Sequence, residues 1–266
     1  MLVVKIPFVD GSEKTLGCEK AGNVILQELK KIEINESGQE ICFDALDLEE
    51  IHIDNSDAEL SRKLIYENSY EIFEEKPRIV FLGGSNLINY PTAKAFFDYC
   101  RISEKNPCLI IFDAYANCKN NGGGVNSNNW LRKLIEDGLP SENILLAGAR
   151  SYSREESEFL KSNRIRQVKI NLILEDIDNI ADTIMEFANK GEAYIFVEMS
   201  VVEPAFAPAV NCPELAGLSS REIIYLIQRL NKMKNLRAVS ITGINPEKDR
   251  ENLTVKLGAK ILGELI

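Results

Sequence analysis

The chain has 266 residues, 45% of them apolar, and a formal net charge of −10. This is enough apolar side chain for a large core, and the acidic balance argues against a phosphate-backbone partner, which calls for clustered Lys and Arg. There is one histidine, His52, so any mechanism needing two histidines from one chain is excluded.

Residues 2–9 predict a strand, placed near a sheet edge because of Pro7. Residues 20–32 predict a helix carrying Val24, Ile25, Leu26 and Leu29, and residues 33–47 are irregular around a turn at 35–38. Ile51-His52-Ile53 alternates as a short strand would, with Ser56 or Asp57 as the cap of the helix after it. Strands are then predicted at 78–82, 108–112, 143–147, 166–170, 193–197 and 236–242. Helices are predicted at 88–100, 130–137, 154–163, 176–189, 219–230 and 248–262. Ser153 and Glu156 stand in capping-box register, and Gly138 suits a helix C-terminus.

Short apolar strands alternating with helices of about ten residues or more imply parallel strands joined by right-handed crossovers. About eight strands are expected. No Pro- or Ser-rich linker divides the chain, so residues 1–266 are expected to form one domain. Nothing predicts a signal peptide, and no apolar stretch approaches the ~20 residues of a membrane span. The expected setting is the cytoplasm, without nucleic acid or membrane as partner. The six cysteines form no CxxC pair and no zinc-ribbon spacing.

In parallel sheets ligands bind at the carboxyl ends of the strands, and three such ends carry recognisable motifs. Phe81-Leu82-Gly83-Gly84-Ser85-Asn86 resembles the Gly-Gly-Asp-His-Ser of the arginase–agmatinase (ureohydrolase) family. Ile111-Phe112-Asp113-Ala114-Tyr115-Ala116-Asn117 resembles its Asp-Ala-His-x-Asp. Residues 198–208, from Glu198 through Pro204 to Ala207-Pro208, resemble its Ser-x-Asp-x-Asp-x-x-Asp-Pro and following Ala-Pro. Ala147–Ser151, Leu215–Glu222 and Ile244-Asn245-Pro246 add matches in the same order, so the resemblance covers residues 78–265 well and the first 75 only in outline.

The resemblance implies a three-layer α/β/α sandwich around an eight-stranded parallel sheet. It also implies hydrolysis of a guanidinium group by a hydroxide bridging two Mn²⁺ ions, which lower the pKa of the shared water. The positions where the family keeps its metal ligands read differently here. The histidines become Asn86 and Tyr115, and the aspartates become Asp113, Asn117, Glu198 and Ser200. The family's substrate-binding glutamate aligns with Gly243 and its proton-shuttling histidine near Ser127.

Two carboxylates cannot neutralise two divalent ions a few Å apart. These replacements predict a lost dinuclear centre, no required cofactor, and an inactive homologue serving as a binding or structural subunit. Asp113 and Glu198 are then either residual ligands for one Mn²⁺ or Mg²⁺ or a carboxyl pair sharing a proton. The alternative is an active metal-dependent hydrolase of guanidino or other linear amidine C–N bonds, with a site rebuilt on the same two residues. The family implies a homo-oligomer, trimeric or hexameric, and an active paralogue is the other candidate partner.

Other residues carry open readings. Cys118 and Cys212 are nucleophile candidates or ordinary loop thiols, and no histidine is placed to activate either. The Asn- and Gly-rich run 120–129 is a lid or a disordered loop. Gly83-Gly84 is a tight turn or an anion-binding pair of N–H groups. Arg150 and Arg221 are expected to tie down loops, and His52 to lie on a strand outside the site.

Overall fold

The computed structural model describes residues 1–9 and 12–266. Eight strands form one sheet: β1 (Leu2–Ile6), β2 (Asp47–Glu50), β3 (Ile79–Gly83), β4 (Pro107–Phe112), β5 (Ile144–Ala147), β6 (Arg166–Val168), β7 (Glu192–Glu198) and β8 (Leu236–Thr242). Their spatial order is β2-β1-β3-β8-β7-β4-β5-β6, and every pairing is parallel. The α/β class, the strand number and the direction expected from the alternating pattern are all observed.

Helices cover both faces. On one lie α1 (Ala21–Leu29), α7 (Ile177–Ala188), α8 (Ser220–Leu230) and α9 (Leu253–Leu265). On the other lie α2 (Ala58–Glu75), α3 (Asn89–Ile102), α4 (Trp130–Glu136) and α5 (Arg154–Ser162). The short α6 (Ile170–Glu175) precedes α7. Side-chain alternation in β7 divides the core: Ala193, Ile195 and Val197 face the first layer, whereas Tyr194 and Phe196 face the second. Tyr194 and Phe196 stack with ring centroids 4.0 Å apart. Burial of this kind is worth about 2 kcal/mol per large side chain, so the strands are held on both faces and the strand ends are well fixed.

The helix signals in the sequence act as expected. Ser153 and Glu156 form a complete capping box at α5, as do Ser219 and Glu222 at α8. Asp57, not Ser56, caps α2 by accepting from the backbone of Glu59 and Leu60. Gly138 follows α4 with φ 100°.

Four expectations are corrected. The strand expected at 51–53 is β2 at 47–50, an exposed acidic edge strand. With one paired side and no buried face, it carries no apolar alternation to detect. His52 lies beyond it with its side chain 91% exposed. The helix α6 starts where the sixth strand was expected to continue, because Ile170, Ile173 and their neighbours are apolar at spacings that suit either state. The last helix begins at Leu253, after a short 3₁₀ turn at Pro246–Lys248 that Asn245 caps. Finally, the run 120–129 is an ordered loop, so the disordered reading is the one that is corrected. Asn129 is buried and donates to the Asn121 side chain and the Gly124 carbonyl, while Lys119 N–H bonds the Asn128 carbonyl. The loop is stitched by its own asparagines.

Candidate active site

The four central strands of the sheet are β3, β8, β7 and β4, and their carboxyl ends meet at one cavity. The turn after β3 forms its floor. There the Gly84 N–H bonds the Ile6 carbonyl, and a Cβ on Gly84 would stand 2.6 Å from the Phe8 carbonyl oxygen. Only glycine allows the two backbones to lie so close. The Ser85 N–H is likewise taken by the Phe8 carbonyl. The two expected readings of Gly83-Gly84 are thereby decided: it is a close backbone approach, with no N–H pair turned to an anion.

Asp113 follows β4 and is 1% exposed. Its Oδ1 accepts from the Tyr115 N–H at 2.9 Å and the Ser200 hydroxyl at 3.1 Å, and its Oδ2 accepts from Asn117 Nδ2 at 2.6 Å. Asn117 reaches it by adopting φ 51°, which asparagine tolerates better than most residues. Glu198 ends β7, is 3% exposed, and accepts from the Thr242 hydroxyl at 2.5 Å. Burial pushes the Asp113 carboxyl up to about 6, against the hydrogen bonds that favour its charge. Glu198 goes up to about 8, first through burial and then through the charge of Asp113. Two buried carboxyls that repel each other favour one negative charge over two.

The cavity above them has a volume of about 70 Å³ and is lined by Asn86, Tyr115, Asn117, Ser127, Glu198 and Cys212, among others. Asn86 donates to the Ser127 carbonyl at 3.3 Å. Among the described residues the side-chain oxygens of Asn86 and Asn211 are buried without a hydrogen-bond partner, and both residues line this cavity. Gly243, φ 84°, leaves the room that the Glu198 carboxyl occupies. All eight residues singled out from the motifs therefore converge: five line the cavity, while Asp113, Ser200 and Gly243 lie directly behind it.

Arg150 frames the far side. Its guanidinium donates to the carbonyls of Gly148, Ser200, Val201, Glu214 and Leu215, binding the segment after β7 to the loop before α8. It ties down the loops through their carbonyls, and Arg221 does so through an ion pair with Glu36. Cys118 is fully buried and does not line the cavity, whereas Cys212 does. Sequence reasoning missed Thr242, Lys14, Lys119 and Asn211. Thr242 ends a strand without any motif, and Lys14 lies in the segment that resembles the family only in outline.

A sequence model described as the arginase family matches residues 1–266. This chain belongs to the arginase family. Among similar proteins, the formimidoylglutamase of Bacillus subtilis (strain 168) is 24% identical over 274 residues, covering 98% of this chain and 84% of the relative. The agmatinase of the same organism is 24% identical over 211 residues, covering 77% of this chain and 69% of the relative. The crystal structure of formimidoylglutamase from B. subtilis subsp. subtilis str. 168 superposes with a TM-score of 0.89 at 22% identity, covering 99% and 85% of the two chains, and so shares the fold.

Membership corrects the expectation that no cofactor is required, because the family consists of dimanganese enzymes. The donors present in this chain still do not fit such a pair by themselves. Among the described residues no group of three or more His, Cys, Asp or Glu could hold a metal ion. Asp113 also has both oxygens engaged by protein donors. Two divalent ions need more compensating anions than Asp113 and Glu198 supply. No helix among the described residues is long and apolar enough to cross a membrane.

Proposed function

We propose that this chain hydrolyses a C–N bond of a linear amidine, a guanidino or formimidoyl compound, with Asp113 and Glu198 as its anionic centre. One observation carries the reading: two buried carboxyls at the ends of neighbouring strands, one of them open to a cavity. Keeping such a pair is unfavourable unless a cation or a proton joins it. A planar amidinium supplies both the charge and the N–H donors that a carboxylate accepts.

In this reading the amidinium binds against Glu198 and displaces the proton that the carboxyl otherwise holds. The unpartnered oxygens of Asn86 and Asn211 accept its remaining N–H groups. Water adds to the amidine carbon and gives a proton to Glu198, whose raised pKa suits a base working near neutrality. The C–N bond breaks as that proton passes to the leaving nitrogen. Asp113, held by Tyr115, Asn117 and Ser200, stays in place as the fixed second charge. The names of the similar enzymes support the same reaction class.

A second reading is favoured by the small cavity and the engaged oxygens of Asp113: an inactive subunit that binds an amidine or pairs with an active paralogue. We further propose a cytoplasmic homo-oligomer, a trimer or hexamer, checked by sedimentation. The test of the main reading is product release. Purified chain, with and without added Mn²⁺, is incubated with agmatine, arginine or N-formimidoylglutamate, and urea or formamide is measured. Turnover that disappears in Glu198→Gln is expected. No product from any of these, with or without the metal, overturns the hydrolase reading in favour of the second.

A further inference from the structure

Of the six cysteines, Cys212 alone stands in the wall of the Glu198 cavity. Cys18, Cys100, Cys108 and Cys118 are buried, and Cys42 is exposed outside it. The end of β8 sets the place of Cys212. The Asn211 N–H bonds the Gly243 carbonyl at 3.0 Å, the Asn245 N–H bonds the Ala209 carbonyl at 2.8 Å, and Val210 bridges Ile244. Gly243 is also the residue whose missing side chain leaves room for the Glu198 carboxyl. The same stretch, 243–245, therefore makes room for the carboxyl and fastens the segment that carries the thiol.

The groups in this wall complement one another. Cys212 is half-buried and opens to the cavity. Burial and then the charge of Glu198 push its thiol up, with Asp113 adding to this and Lys14 and Lys248 opposing it. The sulfur therefore keeps its proton until a base removes it, and Glu198 is the base in the same wall. Asn86 is 8% exposed and lines the cavity too, and among the described residues its side-chain oxygen has no hydrogen-bond partner. That oxygen calls for an N–H donor from a ligand. The cavity holds only about 70 Å³, so a planar amidine head that meets Glu198 and Asn86 lies within reach of Cys212 as well.

We propose that Cys212 is the nucleophile of this site: its sulfur adds to the carbon of an amidine held by Glu198 and Asn86, and the reaction passes through an S-linked intermediate. This rests on the hydrolase reading and divides its single addition into two, the thiol adding first and water second. In the first step the S–C bond forms, the thiol proton passes to the Glu198 carboxylate, and the C=N electron pair moves onto nitrogen. Glu198 then gives that proton to the scissile nitrogen. The C–N bond breaks, the amine leaves with the bonding pair, and the C=N bond re-forms. In the second step water adds to the same carbon and the C–S bond breaks. The sulfur takes one water proton, which regenerates the thiol, and the other leaves on the released amine. Urea or formamide is the product.

The test treats the full chain with chloroacetamidine and with its neutral counterpart chloroacetamide, and locates the adducts by peptide mass spectrometry. Relative to exposed Cys42, Cys212 is expected to react about tenfold faster with the amidine than with the amide, the scale of one hydrogen bond to a charged group. Glu198→Gln is expected to abolish that preference. Cys212→Ser is expected to lose turnover of agmatine or N-formimidoylglutamate while amidine binding, read by calorimetry, persists. Labelling of Cys212 without preference, or turnover retained in Cys212→Ser, overturns the proposal, and the hydrolase reading then stands or falls on product release alone. A chain that releases no product yet accumulates a substrate-derived adduct on Cys212 supports the nucleophile and overturns completed hydrolysis. Neither product nor adduct overturns both.

Discussion

The Glu198 carboxyl lies where a side chain at position 243 would begin. A Cβ built on Gly243 would stand 2.6 Å from its carboxyl carbon, nearer than non-bonded atoms approach. The two residues are thus a pair. A glutamate at the end of β7 reaches one methylene further than an aspartate would, and the glycine after β8 makes the room. Thr242, beside that glycine, supplies the hydroxyl that holds the carboxyl in place.

Gly243→Ala tests the pair directly. The φ of 84° disfavours any side chain, and the methyl would displace Glu198. The expected loss is roughly 2 kcal/mol of stability, read from urea midpoints, together with loss of amidine binding. A variant with unchanged stability and binding would show that the carboxyl does not depend on this space.

Glu198→Gln gives a pH signature. Both carboxyls hold protons in the folded chain to higher pH than their ordinary values of 3.8 and 4.5. Between those values and about 8 the folded state therefore binds more protons than the unfolded one. Stability falls as pH rises through that window and is level above it. The glutamine variant keeps the Thr242 bond and loses the Glu198 part of the fall, so it should exceed the unaltered chain by roughly 5 kcal/mol at pH 9. Midpoints measured at pH 5 and pH 9 check this; equal pH dependence in both proteins would contradict it.

Binding of an amidinium should run the other way. The cation competes with the proton on Glu198, so affinity should rise between pH 6 and pH 8, the range set by the two carboxyls. Calorimetric titration across that range checks the sign.

Arg150→Ala should loosen the wall at residues 214–218. Five carbonyls lose a charged donor, and hydrogen bonds to charged groups contribute about 1.5–3 kcal/mol each before water replaces them. A net loss of about 3 kcal/mol is expected. Faster amide exchange should be confined to the Gly217–Leu218 region, and uniform exchange across the sheet would refute the assignment.

Cys118→Ser should leave any activity unchanged. The thiol is fully buried, pushed up to about 12 by burial, and does not line the cavity. In mild labelling, exposed Cys42 should react first and Cys118 only on unfolding. A variant that loses turnover while staying folded would restore the thiol as a participant.

Much of this protein could be read without coordinates. The parallel α/β sheet followed from apolar strands alternating with helices, because that period is set by backbone geometry and burial along a single segment. The capping box at Ser153 was legible for the same reason: its partner, Glu156, lies three residues away. So was the convergence of Asn86, Asp113, Tyr115, Asn117 and Glu198, since each stands at a strand end and parallel strands bring like ends together. Other features had no local signal. The edge strand at 47–50 buries no face, so nothing in its pattern marks it. The fit of Glu198 to Gly243 and the five carbonyls around Arg150 join residues far apart in the chain. Whether two such groups touch depends on strand order and on which side of the sheet each loop leaves, and only the tertiary structure decides that.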